Sequence, residues 1–113
     1  MSIYDQDLDK NPANFVPLSP SSFVERSAEV FGDLPAVVHG RRRYSWSETR
    51  ERAARLAAAL RSFGVGRGTT VSAMLTNTPE MIEAHYAVPA LNAVLNTLNI
   101  RLDAALLAWQ MQH

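Results

Sequence analysis

The sequence predicts an α/β fold in which one βαβ unit with mostly parallel strands is joined to a small hairpin. Three observations support this: Thr69 to Leu98 has a strand–helix–strand pattern, residues 36–45 hold two short β-prone pieces around a turn, and a periodic apolar stripe begins after Ser45. Two strands linked by a crossover helix within about thirty residues usually lie parallel in one sheet. This pattern predicts a fold class and no chemistry.

Residues 1–18 are expected to form an irregular leader. The stretch is polar and is interrupted by Pro12 and Pro17. Phe15 and Val16 are the apolar residues expected to anchor it to the body of the protein.

A first helix and a hairpin follow the leader. Ser19 and Pro20 suit the cap and the first position of a helix, which is expected to run to Gly32. The β-prone residues 36–39 and 43–45 flank a Gly40–Arg42 turn, which predicts a hairpin with its basic turn in water.

The longest helix has the clearest local signature. Ser45 and Glu48 are spaced as in a capping box, where each side chain satisfies a free backbone amide. Gly64 is placed to end the helix in a left-handed conformation. Arg50, Glu51, Arg52 and Arg55 are predicted mostly on the outer side, opposite a buried stripe of Ala53, Leu56, Ala57, Leu60 and Phe63.

The strand–helix–strand unit completes the prediction. Residues 69–75 suit a strand buried on both faces, and residues 93–98 form the next strand. Asn77 or Thr78 is expected to cap the intervening helix through its side chain, and Pro89 to close it. Asp103 is predicted to cap a last helix.

Composition excludes several functions. The 113 residues are 47% hydrophobic and 19% charged, which is typical of one modest globular domain. Eleven basic residues balance eleven acidic ones, so neither nucleic acid nor an anionic membrane is an expected partner. There is no cysteine for disulfides, thiolate metal sites or catalysis. The acidic start and the absence of a long apolar run predict a cytoplasmic protein without a transmembrane segment.

Three groups of residues invite a functional interpretation. Gly64, Gly66 and Gly68 follow a helix and precede a strand, the reverse of the order in a phosphate loop, which favours a structural turn. The basic residues 41–43 suit a solubilising turn, with anion contact as the alternative. The three histidines lie far apart without a second ligand at helical spacing, which favours ordinary histidines over a metal site: His39, His85 and His113.

Four linked motifs occur along the chain: Pro35–Val38 with Tyr44–Thr49, Phe63–Val71, Leu75–Glu80 and Ala93–Leu102. In order and spacing they resemble the start of the AMP-forming acyl-CoA synthetases, which belong to the adenylate-forming enzymes. The resemblance covers residues 14–113, and its last motif leans toward ligases of fatty or other carboxylic acids.

The resemblance implies an ATP-dependent reaction. ATP activates a carboxylic acid to an acyl adenylate with release of pyrophosphate, and the coenzyme A thiol then displaces AMP to give the thioester, with Mg²⁺ neutralising the phosphates. The family's phosphate loop, its lysines and its adenosine-binding aspartate have no match here. The resemblance therefore predicts that residues 19–113 are an incomplete N-terminal part of an AMP-binding domain. This segment alone should bind no cofactor and be inactive. A stand-alone α/β interaction module and a non-functional truncated product remain as alternatives.

The resemblance supplies one site residue, no catalytic residue and no metal ligand. Arg101 matches an arginine that lies near the coenzyme A phosphates in relatives, and a structural salt bridge is the alternative role. Asn92 departs from the family, in which glycine is common at this position. That departure implies either a different helix exit or an asparagine in the left-handed conformation.

Overall fold

The computed structural model describes residue 7 and residues 9–113. This part of the chain holds four helices and four strands in two separate two-stranded sheets. None of these helices is both long and apolar enough to cross a membrane. The elements are α1 (Pro20–Val30), β1 (Pro35–His39), β2 (Arg42–Ser45), α2 (Trp46–Ser62), β3 (Thr70–Ala73), α3 (Pro79–Ala90), β4 (Val94–Thr97) and α4 (Ala104–Gln112).

The two sheets confirm the predicted fold class. Strands β1 and β2 form an antiparallel hairpin, and β3 and β4 pair in parallel with Thr70 opposite Val94. Helix α3 is the crossover, and it packs against α2 and the parallel sheet. The paired strands are shorter than expected, because β3 and β4 pair over only four residues each.

The core lies between α2, α3 and one face of the parallel sheet. Val88 is fully buried, and Leu91 and Ala93 complete the buried cluster. Val71 and Leu95 pack on it from the sheet. On the opposite face of the sheet the Nδ2 of Asn96 donates to the Oγ of Ser72 at 3.3 Å, so that face is polar at this pair.

The boundaries of α2 confirm two predictions and correct a third. The Ser45 hydroxyl accepts from the Glu48 amide at 3.2 Å, and the Glu48 carboxylate accepts from the Ser45 amide at 2.8 Å, which is the predicted capping box. Gly64 has φ +84°, the predicted left-handed conformation. Phe63 is not part of the buried stripe, because α2 ends at Ser62 and the Phe63 side chain is 85% exposed.

Two predicted side-chain caps were wrong. Ser19 and Thr78 occupy the N-cap positions of α1 and α3, yet neither side chain accepts a capping hydrogen bond. The Ser22 and Met81 amides donate instead to the backbone carbonyls of these two residues, at 3.0 Å each. Asp103 does cap α4, accepting from the Leu106 amide at 2.9 Å.

The end of α3 also differs from the prediction. Pro89 lies inside the helix, which continues to Ala90. Pro89 is exposed and is the second-last residue of α3. The carbonyl that would have accepted its missing amide can bond to water instead, so the last turn continues. The chain turns at Asn92, whose φ of +56° is the left-handed conformation, one of the two alternatives expected for an asparagine at this position.

The leader is described only in part. Residues 1–6 and 8 lie outside the described residues, and residues 9–18 contain neither helix nor strand. Phe15 and Val16 are not buried anchors, since they are 43% and 73% exposed. The Lys10 ammonium lies 4.5 Å from the Phe15 ring centroid, so Phe15 packs within the leader itself.

Candidate functional site

A cleft lies at the carboxyl ends of the two parallel strands. Strands β3 and β4 run in the same direction, so the loops that follow them meet at one edge of the sheet. In open α/β sheets this edge is the usual place for ligands. The cleft has a volume of about 490 Å³. It is lined by Leu75, Thr76, Asn77, Met81, Thr97, Leu98, Asn99, Ile100 and Arg101.

The loop after β3 forms the first wall of the cleft. The Thr78 amide donates to the Thr76 carbonyl at 2.7 Å, which folds the loop tightly before α3 begins. This fold leaves Asn77 exposed at the cleft. The wall is therefore polar and comes directly before the positive end of a helix dipole.

The loop after β4 forms the second wall and carries Arg101. The Asn99 Oδ1 accepts from the Arg101 amide at 2.9 Å, and the Asn99 carbonyl accepts from the Leu102 amide at 3.2 Å. Arg101 is exposed, and no carboxylate among the residues that the structure describes lies within 4 Å of it. Its guanidinium is thus available to an anionic ligand at the cleft.

An ion pair joins the hairpin to the helix that follows the first wall. The Arg42 Nη1 in β2 donates to the Glu80 Oε1 in the first turn of α3, at 2.5 Å. This hydrogen bond lowers the pKa of Glu80 to about 2 from an ordinary 4.5. It also raises the pKa of Arg42. The hairpin is thereby tied to the helix that starts at the cleft.

A second ion pair lies deeper between α2 and α3. The Arg52 Nε donates to the Glu83 Oε1 at 2.6 Å, and the Glu83 side chain is only 10% exposed. The Arg52 guanidinium also lies 4.4 Å from the Tyr44 ring centroid. Arg52 was predicted on the outer side of α2, which was wrong. Local sequence carries no signal for this pair, because Arg52 and Glu83 are 31 positions apart.

The other groups singled out in the sequence do not form a site in the described part of the chain. Gly64, Gly66 and Gly68 form the turn between α2 and β3, as predicted, and not the entry to a helix. No cluster of three or more His, Cys, Asp or Glu side chains that could hold a metal occurs among the described residues. No step of phosphate chemistry is assigned to the described residues. The exposed guanidinium of Arg101 has hydrogen-bond donors that suit an anionic group.

The described residues form an α/β fold with a cleft at the carboxyl ends of its parallel strands, and comparison with known sequences identifies the family. The family profile described as "AMP-binding enzyme" matches residues 24–113. The chain belongs to this family.

Several curated relatives are named as coenzyme A ligases. The chain is 45% identical over 107 residues to the peroxisomal acetate/butyrate–CoA ligase of Arabidopsis thaliana, covering 95% of this chain and 19% of the relative. It is 41% identical over 107 residues to the peroxisomal benzoate–CoA ligase of the same plant, covering 95% and 18%. The chain thus spans about a fifth of the length of the curated relatives it matches.

Solved structures agree with this assignment. A fatty acyl-CoA synthetase of Mycobacterium tuberculosis matches with a TM-score of 0.78 at 25% identity, covering 80% of this chain and 18% of that protein. The O-succinylbenzoate coenzyme A synthetase of Bacillus subtilis matches with a TM-score of 0.76 at 22% identity, covering 80% and 20%, which shows the shared fold. The segment resembles the N-terminal part of acyl-CoA ligases, as its motifs predicted.

Proposed function

We propose that this chain is the N-terminal part of an ATP-dependent carboxylic acid–CoA ligase that acts through an acyl adenylate. The observation that carries the proposal is the 45% identity to an acetate/butyrate–CoA ligase along 95% of the chain. The complete protein would use ATP, Mg²⁺, coenzyme A and a carboxylic acid. A short-chain, aromatic or fatty acid is the expected range, because relatives and neighbours named for each are similar to this chain.

The 113 residues contribute scaffold and one ligand contact to this reaction. The described residues hold neither a phosphate loop nor a metal-ligating cluster. The segment alone is therefore proposed to be inactive, with adenylation depending on residues elsewhere in the complete protein. Its own part is to build both walls of the cleft at the ends of β3 and β4.

The ligand contact is Arg101, which we assign to a phosphate of coenzyme A. The residue lines the cleft, is exposed, and has no carboxylate partner among the described residues. An exposed guanidinium without a carboxylate partner can donate charge-assisted hydrogen bonds to phosphate oxygens without first breaking an ion pair.

The reaction is tested on the complete open reading frame that contains these residues. The purified protein is incubated with ATP, Mg²⁺ and coenzyme A, together with acetate, butyrate, benzoate or a fatty acid, and AMP and thioester are quantified. We expect both products in equal amounts with at least one acid, and none from the 113-residue chain alone. A reading frame that stops after His113, or a complete protein that makes neither product, would contradict the proposal.

The contact is tested with Arg101→Ala in the complete protein. Loss of a charged hydrogen bond should raise the KM for coenzyme A about tenfold or more and leave the KM for ATP unchanged. Arg67→Ala is the matched control, because Arg67 is an exposed arginine in the turn at the other end of β3. Equal effects of the two substitutions would remove Arg101 from the site.

The cytoplasmic location expected from the sequence stays a prediction. Several curated relatives are named as peroxisomal, including both ligases compared above. Microscopy of the complete protein tagged at its N-terminus, which leaves the C-terminus free, distinguishes the two compartments.

A further inference from the structure

We propose that Asn99 is a positioning residue for Arg101. The inference rests on the proposed coenzyme A contact and adds the residue that fixes the backbone conformation at Arg101. The Asn99 Oδ1 accepts from the Arg101 backbone amide at 2.9 Å, two residues along the chain. A side chain that bonds to the backbone two residues on imitates a backbone turn and restricts the residues between.

The surrounding turn gives this hydrogen bond its effect. The Leu102 amide donates to the Asn99 carbonyl at 3.2 Å. Asn99 therefore accepts two hydrogen bonds in this turn, one through its side chain from Arg101 and one through its backbone from Leu102. The remainder of the loop has little other support, since Asn99, Ile100 and Arg101 are all exposed. Without the Asn99 side chain the turn keeps only the hydrogen bond from Leu102, so the ligand would have to restrict Arg101 further, and the entropy cost of that ordering lowers affinity.

The structure explains why an asparagine suits this position. Its amide oxygen is a neutral acceptor at the end of a short side chain, so it restrains the backbone without placing a carboxylate beside the guanidinium. An aspartate would also accept the hydrogen bond but would compete with the phosphate for Arg101. Serine keeps a neutral acceptor with a shorter reach.

The test compares Asn99→Ala, Asn99→Ser and Asn99→Ala/Arg101→Ala in the complete protein. We expect Asn99→Ala to raise the KM for coenzyme A about threefold to tenfold, from the loss of one hydrogen bond. The KM values for ATP and the acid should not change. Asn99→Ser should restore most of the affinity, and Asn99→Ala should have no further effect once Arg101 is alanine.

The chain offers a closely matched control. The Asn11 Oδ1 accepts from the Ala13 amide at 2.9 Å, the same hydrogen bond with the same spacing, in the leader. Asn11→Ala should leave the KM for coenzyme A unchanged. Thermal unfolding of every variant separates a loss of folding from a loss of binding.

The outcomes separate this inference from the proposed contact. If Arg101→Ala raises the KM and Asn99→Ala does not, the positioning role is overturned and the contact stands. Effects that add in the double variant, or a parallel rise of all three KM values, would also overturn it. If Arg101→Ala itself has no effect, the coenzyme A contact fails and the positioning role fails with it.

Discussion

Gly32 is required by its surroundings and not by its backbone conformation. A Cβ at this position would lie 2.6 Å from the Ser47 Oγ and 2.7 Å from the Ala28 carbonyl oxygen. We expect Gly32→Ala to lower the free energy of unfolding by about 1–3 kcal/mol, because the Ser47 hydroxyl can rotate away but the Ala28 carbonyl belongs to the backbone of α1 and can move only if the end of that helix is distorted. The measurement is urea unfolding followed by circular dichroism.

Gly66→Ala is the control for this substitution. Nothing lies within 4 Å of a Cβ built at Gly66, and its φ is outside the left-handed region. The alanine there should change stability by less than about 0.5 kcal/mol. A similar cost at both glycines would show that steric contact at Gly32 is not the cause.

Asn92 shows how the chain accommodates its departure from the family. Its φ of +56° costs a residue with an ordinary side chain about 1–2 kcal/mol and costs asparagine and glycine less. We expect Asn92→Ala to lower the thermal midpoint and Asn92→Gly to retain it. A drop with glycine as large as that with alanine would mean that the Asn92 side chain has a separate role.

At the scale of elements, the Arg52–Glu83 pair connects α2 to α3. Arg52→Ala would leave a nearly buried carboxylate without its partner, and breaking such a pair typically costs about 3 kcal/mol or more. The exposed pair between Arg50 and Glu25 is longer, at 3.7 Å, and should matter far less. Arg50→Ala is therefore the control, measured by chemical unfolding.

The Arg42–Glu80 pair predicts a dependence of stability on pH. The folded state holds the pKa of Glu80 at about 2, below its ordinary 4.5, through the hydrogen bond from Arg42. A lowered pKa means that the contribution is fully present above about pH 4.5 and is lost as the pH falls toward 2. Glu80→Gln should therefore lose less stability than the unmodified protein over that interval.

Unfolding midpoints at several pH values test this prediction. Glu29→Gln removes an exposed carboxylate from α1 and controls for the loss of one negative charge. If the Glu80→Gln profile parallels that of the unmodified protein between pH 4.5 and 2, the pair does not link α3 to the hairpin in solution.

Features that depend on neighbouring residues could be predicted from the sequence, and features that join distant residues could not. The capping box at Ser45 and the turn at Gly64 depend on neighbours within a few residues and were predicted correctly. The two ion pairs join residues 31 and 38 positions apart and leave no periodic signal. The cleft likewise combines two loops that meet only because β3 and β4 pair, and Arg101 was found through the family resemblance alone.

At the scale of the whole molecule, the segment is less compact than a globular domain of its length and leaves apolar side chains exposed. Its radius of gyration is 17.9 Å, against about 13 Å for a compact domain of this length. Large apolar side chains such as Leu18, Val94 and Trp109 are exposed. These features favour a part of a larger fold over a stand-alone interaction module.

The two accounts predict different behaviour for the 113 residues produced alone. As part of a larger fold, the segment should self-associate and bind a hydrophobic dye such as anilinonaphthalene sulfonate more strongly per mole than the complete protein does. Light scattering and dye fluorescence measure both properties. A monomer that unfolds cooperatively and binds no dye would support the interaction module instead.

The position of the buried cluster has a consequence for synthesis of the protein. Val88, Leu91 and Ala93 pack with apolar residues between Ala57 and Leu95, so these contacts can form early in translation. In a protein of the relatives' length, the ribosome would still have to add about four fifths of the chain, which takes on the order of tens of seconds. Throughout that interval the nascent chain would carry this buried cluster beside uncovered apolar side chains, a state that molecular chaperones recognise.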